Sequence, residues 1–137
     1  MPQFLEPFGN QYQVVEQLGE RRMVTVLKAY DSKLERNVAL KVINLEEFSP
    51  DSQERSLKLF ERYAKSLAML SHPNILRVLD YGEYKGSLYL VSEFVPGETL
   101  KNRISNQLMA WRDAIRVLLP IAYALQYAHA HGVIHRD

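Results

Sequence analysis

Asn37-Val38-Ala39-Leu40-Lys41-Val42-Ile43 is the stretch on which the reading of this chain turns. Its β-branched valines and isoleucine favour an extended backbone, and the run is apolar apart from Asn37 and Lys41. An ammonium in such surroundings needs a reason, because a desolvated and unpaired charge is costly. Two readings follow. Either the alternation of a strand points Lys41 at solvent, or Lys41 is a functional cation carried on a sheet face.

Working upstream, Tyr12 to Leu18 reads as a strand that ends in a turn at Gly19, and Met23 to Ala29 reads as a second strand. Asp31-Ser32 opens a polar turn into the stretch quoted above, so three strands follow one another through short links, as in an antiparallel meander. Downstream, Ser49-Pro50-Asp51 offers a helix start, with proline where its missing N–H does least harm. Leu57, Phe60, Ala64, Leu67 and Leu70 recur at helical spacing and form one apolar stripe. Ser71-His72-Pro73-Asn74 ends that helix. Ile75 to Tyr81 and Ser87 to Phe94 are two further strands, with Gly82 and Gly86 flanking a hairpin link. Val95-Pro96-Gly97 breaks the sheet pattern. A short helix is expected over Thr99 to Ser105 and a longer one over Asp113 to His129. Ile115, Leu118 or Leu119, Ala122, Leu125 and Ala128 lie along one side of the longer helix, and Pro120 sits inside it. Helices segregated from strands in this order imply an α+β architecture.

Bulk properties narrow the class. At 137 residues, with 47% hydrophobic and 24% charged residues, the chain has the composition of one ordinary folded domain. A formal net charge of +1 gives no electrostatic reason to expect nucleic acid or an anionic membrane surface. The absence of cysteine removes disulfides and thiolate metal ligands. No apolar run approaches the roughly 20 residues that span a bilayer. The start, Met1-Pro2-Gln3-Phe4-Leu5-Glu6-Pro7, lacks the basic region and long apolar stretch of a secretory signal, so a cytoplasmic location is expected. His129, His131 and His135 offer fewer ligands than a zinc site normally takes, and no metal site is assigned to them.

Several short motifs stand in a fixed order: Leu18-Gly19-Glu20 with Val26, Lys28-Ala29-Tyr30-Asp31, Val38-Ala39-Leu40-Lys41, His72-Pro73-Asn74-Ile75, Leu88 to Phe94, and Tyr127-Ala128-His129 through His135-Arg136-Asp137. In that order and spacing the chain, from about Tyr12 to Asp137, resembles the front part of a bacterial-type Ser/Thr protein kinase. The resemblance implies a small lobe over residues 11–95, made of a five-stranded antiparallel sheet and one long helix. It makes residues 1–10 a leader and residues 96–137 the hinge and an incomplete large lobe. It also implies ATP with Mg2+ as cofactors, a protein substrate, and transfer of the γ-phosphoryl group to a protein hydroxyl.

By that resemblance Leu18, Val26 and Ala39 sandwich an adenine base, and Gly19 belongs to the glycine-rich phosphate loop. Lys41 contacts the phosphates, and Glu93 and Val95 bond the adenine edge through their backbones, with Ser92 as gatekeeper. Asp137 corresponds to the catalytic-loop aspartate and Arg136 to its neighbour. Three positions depart from the family pattern. The sequence G-x-G-x-x-G-x-V falls on Gly19, Arg21, Val24 and Val26, so only the first glycine remains. The helix glutamate that pairs with the lysine falls on Tyr63, which is expected to face the sheet. Glu61 and Glu54 lie about 180–200° round the helix from it. The magnesium-binding residues that follow the aspartate in the family are not in the chain. Phosphoryl transfer therefore belongs to the parent family, and the chain itself is expected to be inactive. A pseudokinase-type module that binds nucleotide or protein without catalysis is the alternative.

Overall fold

Strand alternation accounts for most of the sheet in the computed structural model, which describes residues 10–45 and 49–135. The strands are β1 (Tyr12–Arg21), β2 (Val24–Asp31), β3 (Arg36–Asn44), β4 (Val78–Tyr84) and β5 (Ser87–Glu93). All pair antiparallel in the order β1-β2-β3-β5-β4. The helices are α1 (Pro50–Ala68), α2 (Leu100–Asn106) and α3 (Trp111–Ala130). The expected α+β class with a five-stranded antiparallel sheet is what forms.

The turns differ from expectation. β1 does not stop at Gly19 but runs through it to Arg21, with irregularities between Val14 and Glu16 and between Gln17 and Gly19. The chain reverses at Arg22-Met23, where Arg22 takes φ 52°. Between β2 and β3, the buried carboxylate of Asp31 accepts the backbone N–H groups of Lys33 at 2.9 Å and Leu34 at 3.1 Å, which pins that turn. β4 begins at Val78 rather than Ile75. Gly82 lies within the strand instead of at its end, and the reversal falls on Lys85-Gly86, both at positive φ. Gly82 has its own reason: a Cβ there would come within 2.8 Å of the Tyr89 hydroxyl on the paired strand.

One sheet face is closed over a core of Leu27, Ala29, Val38, Leu40, Val42 and Val91, joined by Tyr12. Burying each such side chain contributes about 1.5–3 kcal/mol. Strands β1 and β4 are the two edges, which would stand roughly 19 Å apart in a flat sheet. Yet the Tyr12 hydroxyl donates to Asp80 Oδ2 at 2.8 Å, so the sheet curls far enough for side chains of its two edge strands to bond across the core face. On the opposite face, α1 packs Phe60 and Ala64 against Leu88 and Leu45, with Ile43, Leu57, Tyr81 and Leu90 around them. The Phe60 and Tyr81 rings meet edge to face at 6.5 Å. Tyr63 does not face the sheet: it is 49% exposed. It lies about 60° round the helix from Phe60, on the side away from Leu57 and Ala64.

The chain divides into two units. The sheet with α1 is one. The other comprises Leu70–Leu76 and the chain from Val95 onward. In that second unit, Thr99 Oγ1 caps α2 by accepting from Asn102 N–H at 3.1 Å. The Tyr127 hydroxyl accepts from the Ser71 N–H at 3.3 Å, and its ring lies 5.2 Å from that of His72. Along α3 the buried residues are Ala124 and Ala128. Of the residues expected along one side of the helix, Ala128 is buried, whereas Ile115, Leu118, Leu119 and Leu125 are exposed.

The edge-to-edge hydrogen bond yields a pH-dependent prediction. Burial, then the hydrogen bond to Asp80 and its negative charge, hold the Tyr12 pKa above the ordinary tyrosine value. The folded chain therefore keeps a proton that the unfolded chain releases. This contribution is complete below about pH 10 and is lost as pH rises further. Tyr12→Phe should lower stability by about 1–2 kcal/mol at neutral pH and flatten the alkaline decline. Thermal unfolding at neutral and strongly alkaline pH checks both. An equally steep alkaline loss in the variant would assign it to other groups.

Candidate functional site

The pairing register decides which side chains share a face. Gly19 stands opposite Val26, Val26 opposite Lys41, and Lys41 opposite Leu90. One row nearer the end of β5, Lys28 stands opposite Ala39 and Ala39 opposite Ser92. One row the other way, Arg21 stands opposite Val24 and Val24 opposite Ile43. Since directly paired residues point to the same side, Gly19, Arg21, Val24, Val26, Lys28, Ala39 and Lys41 occupy one face. It is the face on which α1 packs, but α1 lies against β4 and β5. The strip over β1, β2 and the first part of β3 is left uncovered by it.

Lys41 is exposed, on the side opposite the core residues Val38, Leu40 and Val42. Among the described residues it makes no ion pair. Glu54 is engaged with Lys58 at 2.7 Å on the surface of α1, and Tyr63 is 49% exposed. The strip thus holds an uncompensated cation beside half-buried apolar positions, Val26 and Ala39. Gly19 adds room. A Cβ built there meets nothing within 4 Å, and the backbone is not in the left-handed region that demands glycine. Packing does not require a glycine at this position, so its missing side chain simply keeps the space above β1 open. Leu18, at the adjoining irregularity of β1, is 46% exposed.

Ser92 is buried at the end of this face, and Glu93 closes β5. The Glu93 N–H donates to the Arg77 carbonyl at 3.1 Å, and its carboxylate accepts from the Arg77 N–H at 3.0 Å. With its N–H engaged, the backbone group Glu93 offers to a ligand edge is its carbonyl. Val95 is exposed and belongs to the second unit. Asp137 and Arg136 lie outside the described residues.

One cluster went unread in the sequence. Lys28 Nζ bonds Glu16 Oε1 at 3.2 Å and sits 4.8 Å above the centre of the Phe94 ring. It thereby ties β1 and β2 to the residue that follows β5. Such a cation–π contact contributes about 0.5–1 kcal/mol at a partly exposed site. The signal was available: Lys28 is two residues beyond Val26, so strand alternation puts it on the same face. Of the histidines, His131 Nδ1 lies 2.8 Å from the Tyr127 carbonyl. No group of three His, Cys, Asp or Glu side chains suited to a metal ion occurs among the described residues.

An open face with apolar positions, an unpaired lysine and a side-chain-free stretch of β1 suits a flat heteroaromatic base joined to an anionic chain. Known proteins match nearly the whole chain. The family described as "Protein kinase domain" matches residues 12–137. A probable serine/threonine-protein kinase PknB of Lactococcus lactis is 38% identical over 132 residues, covering 95% of this chain and 21% of that protein. Serine/threonine-protein kinase PrkC of Bacillus subtilis is 34% identical over 130 residues, 94% of this chain and 20% of that protein. The chain therefore spans about a fifth of the length of these relatives. Among solved structures, the PknI kinase domain of Mycobacterium tuberculosis superposes with a TM-score of 0.83 at 28% identity, covering 100% of this chain and 54% of that one. The chain belongs to the protein kinase domain family, and its relatives are bacterial serine/threonine kinases.

Proposed function

We propose that the sheet unit binds ATP on the strip that α1 leaves open. In this reading Lys41 holds the phosphates, and Leu18, Val26 and Ala39 contact the base. The carbonyl of Glu93 accepts from the adenine amino group, and Gly19 leaves room for the nucleotide. The observation that carries the reading is the register, which aligns Gly19, Val26 and Lys41 in one row across three strands. In the parent protein the reaction is transfer of the γ-phosphoryl group to a Ser or Thr hydroxyl of a protein substrate, in the cytoplasm where ATP is abundant. Magnesium supplies charge neutralisation on the phosphates when bound. The described residues offer it no ligand cluster, so their part is to bind and orient nucleotide.

A non-catalytic binding role has its own support. Lys41 has no carboxylate partner among the described residues, and Tyr63, standing where the family has a glutamate, is half exposed on α1. Binding ATP requires a cation for the phosphates. Catalysis requires that cation to be fixed in position, and a half-exposed neutral phenol does not supply the ion pair that would fix it.

Calorimetric titration of the 137-residue chain with ATP should show binding that Lys41→Ala weakens by about tenfold, as expected for loss of a charge-assisted contact. Equal affinity in the variant and the wild type would sink this reading. Gly19→Ala separates folding from binding. With open space at the Cβ and an ordinary φ, the substitution should leave stability unchanged or raise it by up to about 1 kcal/mol. Thermal unfolding reads that, while the same titration should register weaker ATP binding. A large loss of stability would show that Gly19 serves the fold after all.

A further inference from the structure

The strip that carries Lys41 carries two more cations, and their circumstances differ. Lys28 is compensated by Glu16 at 3.2 Å and capped by the Phe94 ring. Arg21 is exposed and makes no ion pair among the described residues. The Arg21–Val24 pair is the row beside Gly19–Val26–Lys41, so Arg21 and Lys41 project from the same face. Their Cα atoms are separated by two strand spacings and two residues along the strand, about 12 Å. Each side chain extends about 6–7 Å with ordinary bond lengths, so both ends reach a single anionic chain lying between them.

The strip is also polarised. Its Lys28–Ala39–Ser92 end is neutralised or apolar, and its Arg21–Lys41 end holds the free positive charge. Arg21 is held by strand pairing up to the last residue before the reversal, opposite the stiff and half-buried Val24. Its guanidinium is therefore presented from a paired strand and not from a mobile loop. Arg22 follows at φ 52° in the turn itself and is outside the pairing that orients Arg21.

We propose that Arg21 is a phosphate-binding residue of this site, gripping the terminal phosphates of a nucleoside triphosphate together with Lys41. Its side-chain donors do the work that glycine backbone N–H groups cannot do once Arg21 and Val24 occupy those positions. A guanidinium presents paired donors that match phosphate oxygens two at a time, which suits it to this substitution. The assignment rests on the nucleotide reading above and adds to it a dependence on phosphate number. A triphosphate spans from Lys41 to Arg21, and adenosine engages neither.

The test is calorimetry on the whole chain with ATP, adenosine and inorganic tripolyphosphate, comparing wild type with Arg21→Ala, Arg21→Lys and Arg22→Ala. Arg21→Ala should weaken ATP and tripolyphosphate by about tenfold and leave adenosine unchanged. Arg21→Lys should recover part of the loss, and Arg22→Ala should match wild type. If Arg21→Ala binds ATP as wild type does while Lys41→Ala is weakened, the Arg21 assignment falls and the nucleotide reading stands. If Arg21→Ala weakens ATP and adenosine equally, the effect is structural and the assignment falls. Failure of the wild type to bind any of the three probes overturns both readings together.

Discussion

The hydrogen bond from Tyr12 to Asp80 joins strands at opposite edges of a five-stranded sheet, and that closure governs the rest of the sheet unit. Right-handed twist alone does not bring outer strands together across roughly 19 Å of flat sheet. The curl draws Leu27, Leu40, Val42 and Val91 into a core that excludes water. In that dry setting the Tyr12 hydroxyl needs a partner, and Asp80 supplies it. The Tyr12 and Tyr89 rings, 6.3 Å apart and edge to face, pack beside the bond. Gln11 reinforces the corner by donating to Asp31 at 3.1 Å, and Asp31 in turn holds the β2–β3 turn. Polar bonds and apolar burial here require each other.

Closing one face leaves the other to α1, which covers only part of it. α1 covers β4 and β5 through Phe60 and Ala64, and nothing in α1 extends over β1 and β2. The uncovered strip combines apolar Val24, Val26 and Ala39 with Gly19 and with the charged Glu16, Arg21, Lys28 and Lys41. The Lys28 contacts with Glu16 and Phe94 then fix the end of β5 relative to β1 and β2. Under the proposed nucleotide reading, the Glu93 carbonyl would gain from such anchoring, since a geometry already in place costs less entropy to reach.

Much of this was legible in the residues. Val38, Leu40 and Val42 alternate with Ala39 and Lys41, so strand, face and exposed lysine followed from period two alone. The helix start at Ser49-Pro50 followed from proline chemistry. The turns followed only in part, because glycine marks one of them, at Gly86, and not the others. Arg22 and Lys85 accept positive φ at the reversals, while Gly19 and Gly82 sit inside strands. No local propensity marks an arginine or a lysine for that conformation. Tyr63 was misplaced because the apolar stripe of α1 is narrower than its sequence suggests, centred between Leu57, Phe60 and Ala64. In α3 the periodicity was real but burial did not follow it, since periodicity reports which residues can be buried and not whether a partner covers them. Strand alternation made the face shared by the candidate residues legible, whereas the openness of that face depended on where α1 packs. That is a tertiary fact.

The three departures from the family pattern separate into two kinds once placed. Arg21 and Val24 face each other across the β1–β2 hairpin, on the face of Lys41. Arginine and valine in place of two glycines there stiffen the hairpin and block close approach to its backbone N–H groups, yet they also bring in a guanidinium. The net change in affinity for phosphate is a balance of comparable contributions, each within a few kcal/mol. Tyr63 lies on α1, half exposed, and contributes no charge toward Lys41. It leaves nucleotide affinity largely to the sheet and bears on the positioning of the lysine. Positioning governs rate through the geometry of the transition state, and binding does not. Under the proposed nucleotide reading, a chain altered in this way would retain affinity more readily than turnover, because the compensating charge stands on the sheet and the missing one on the helix.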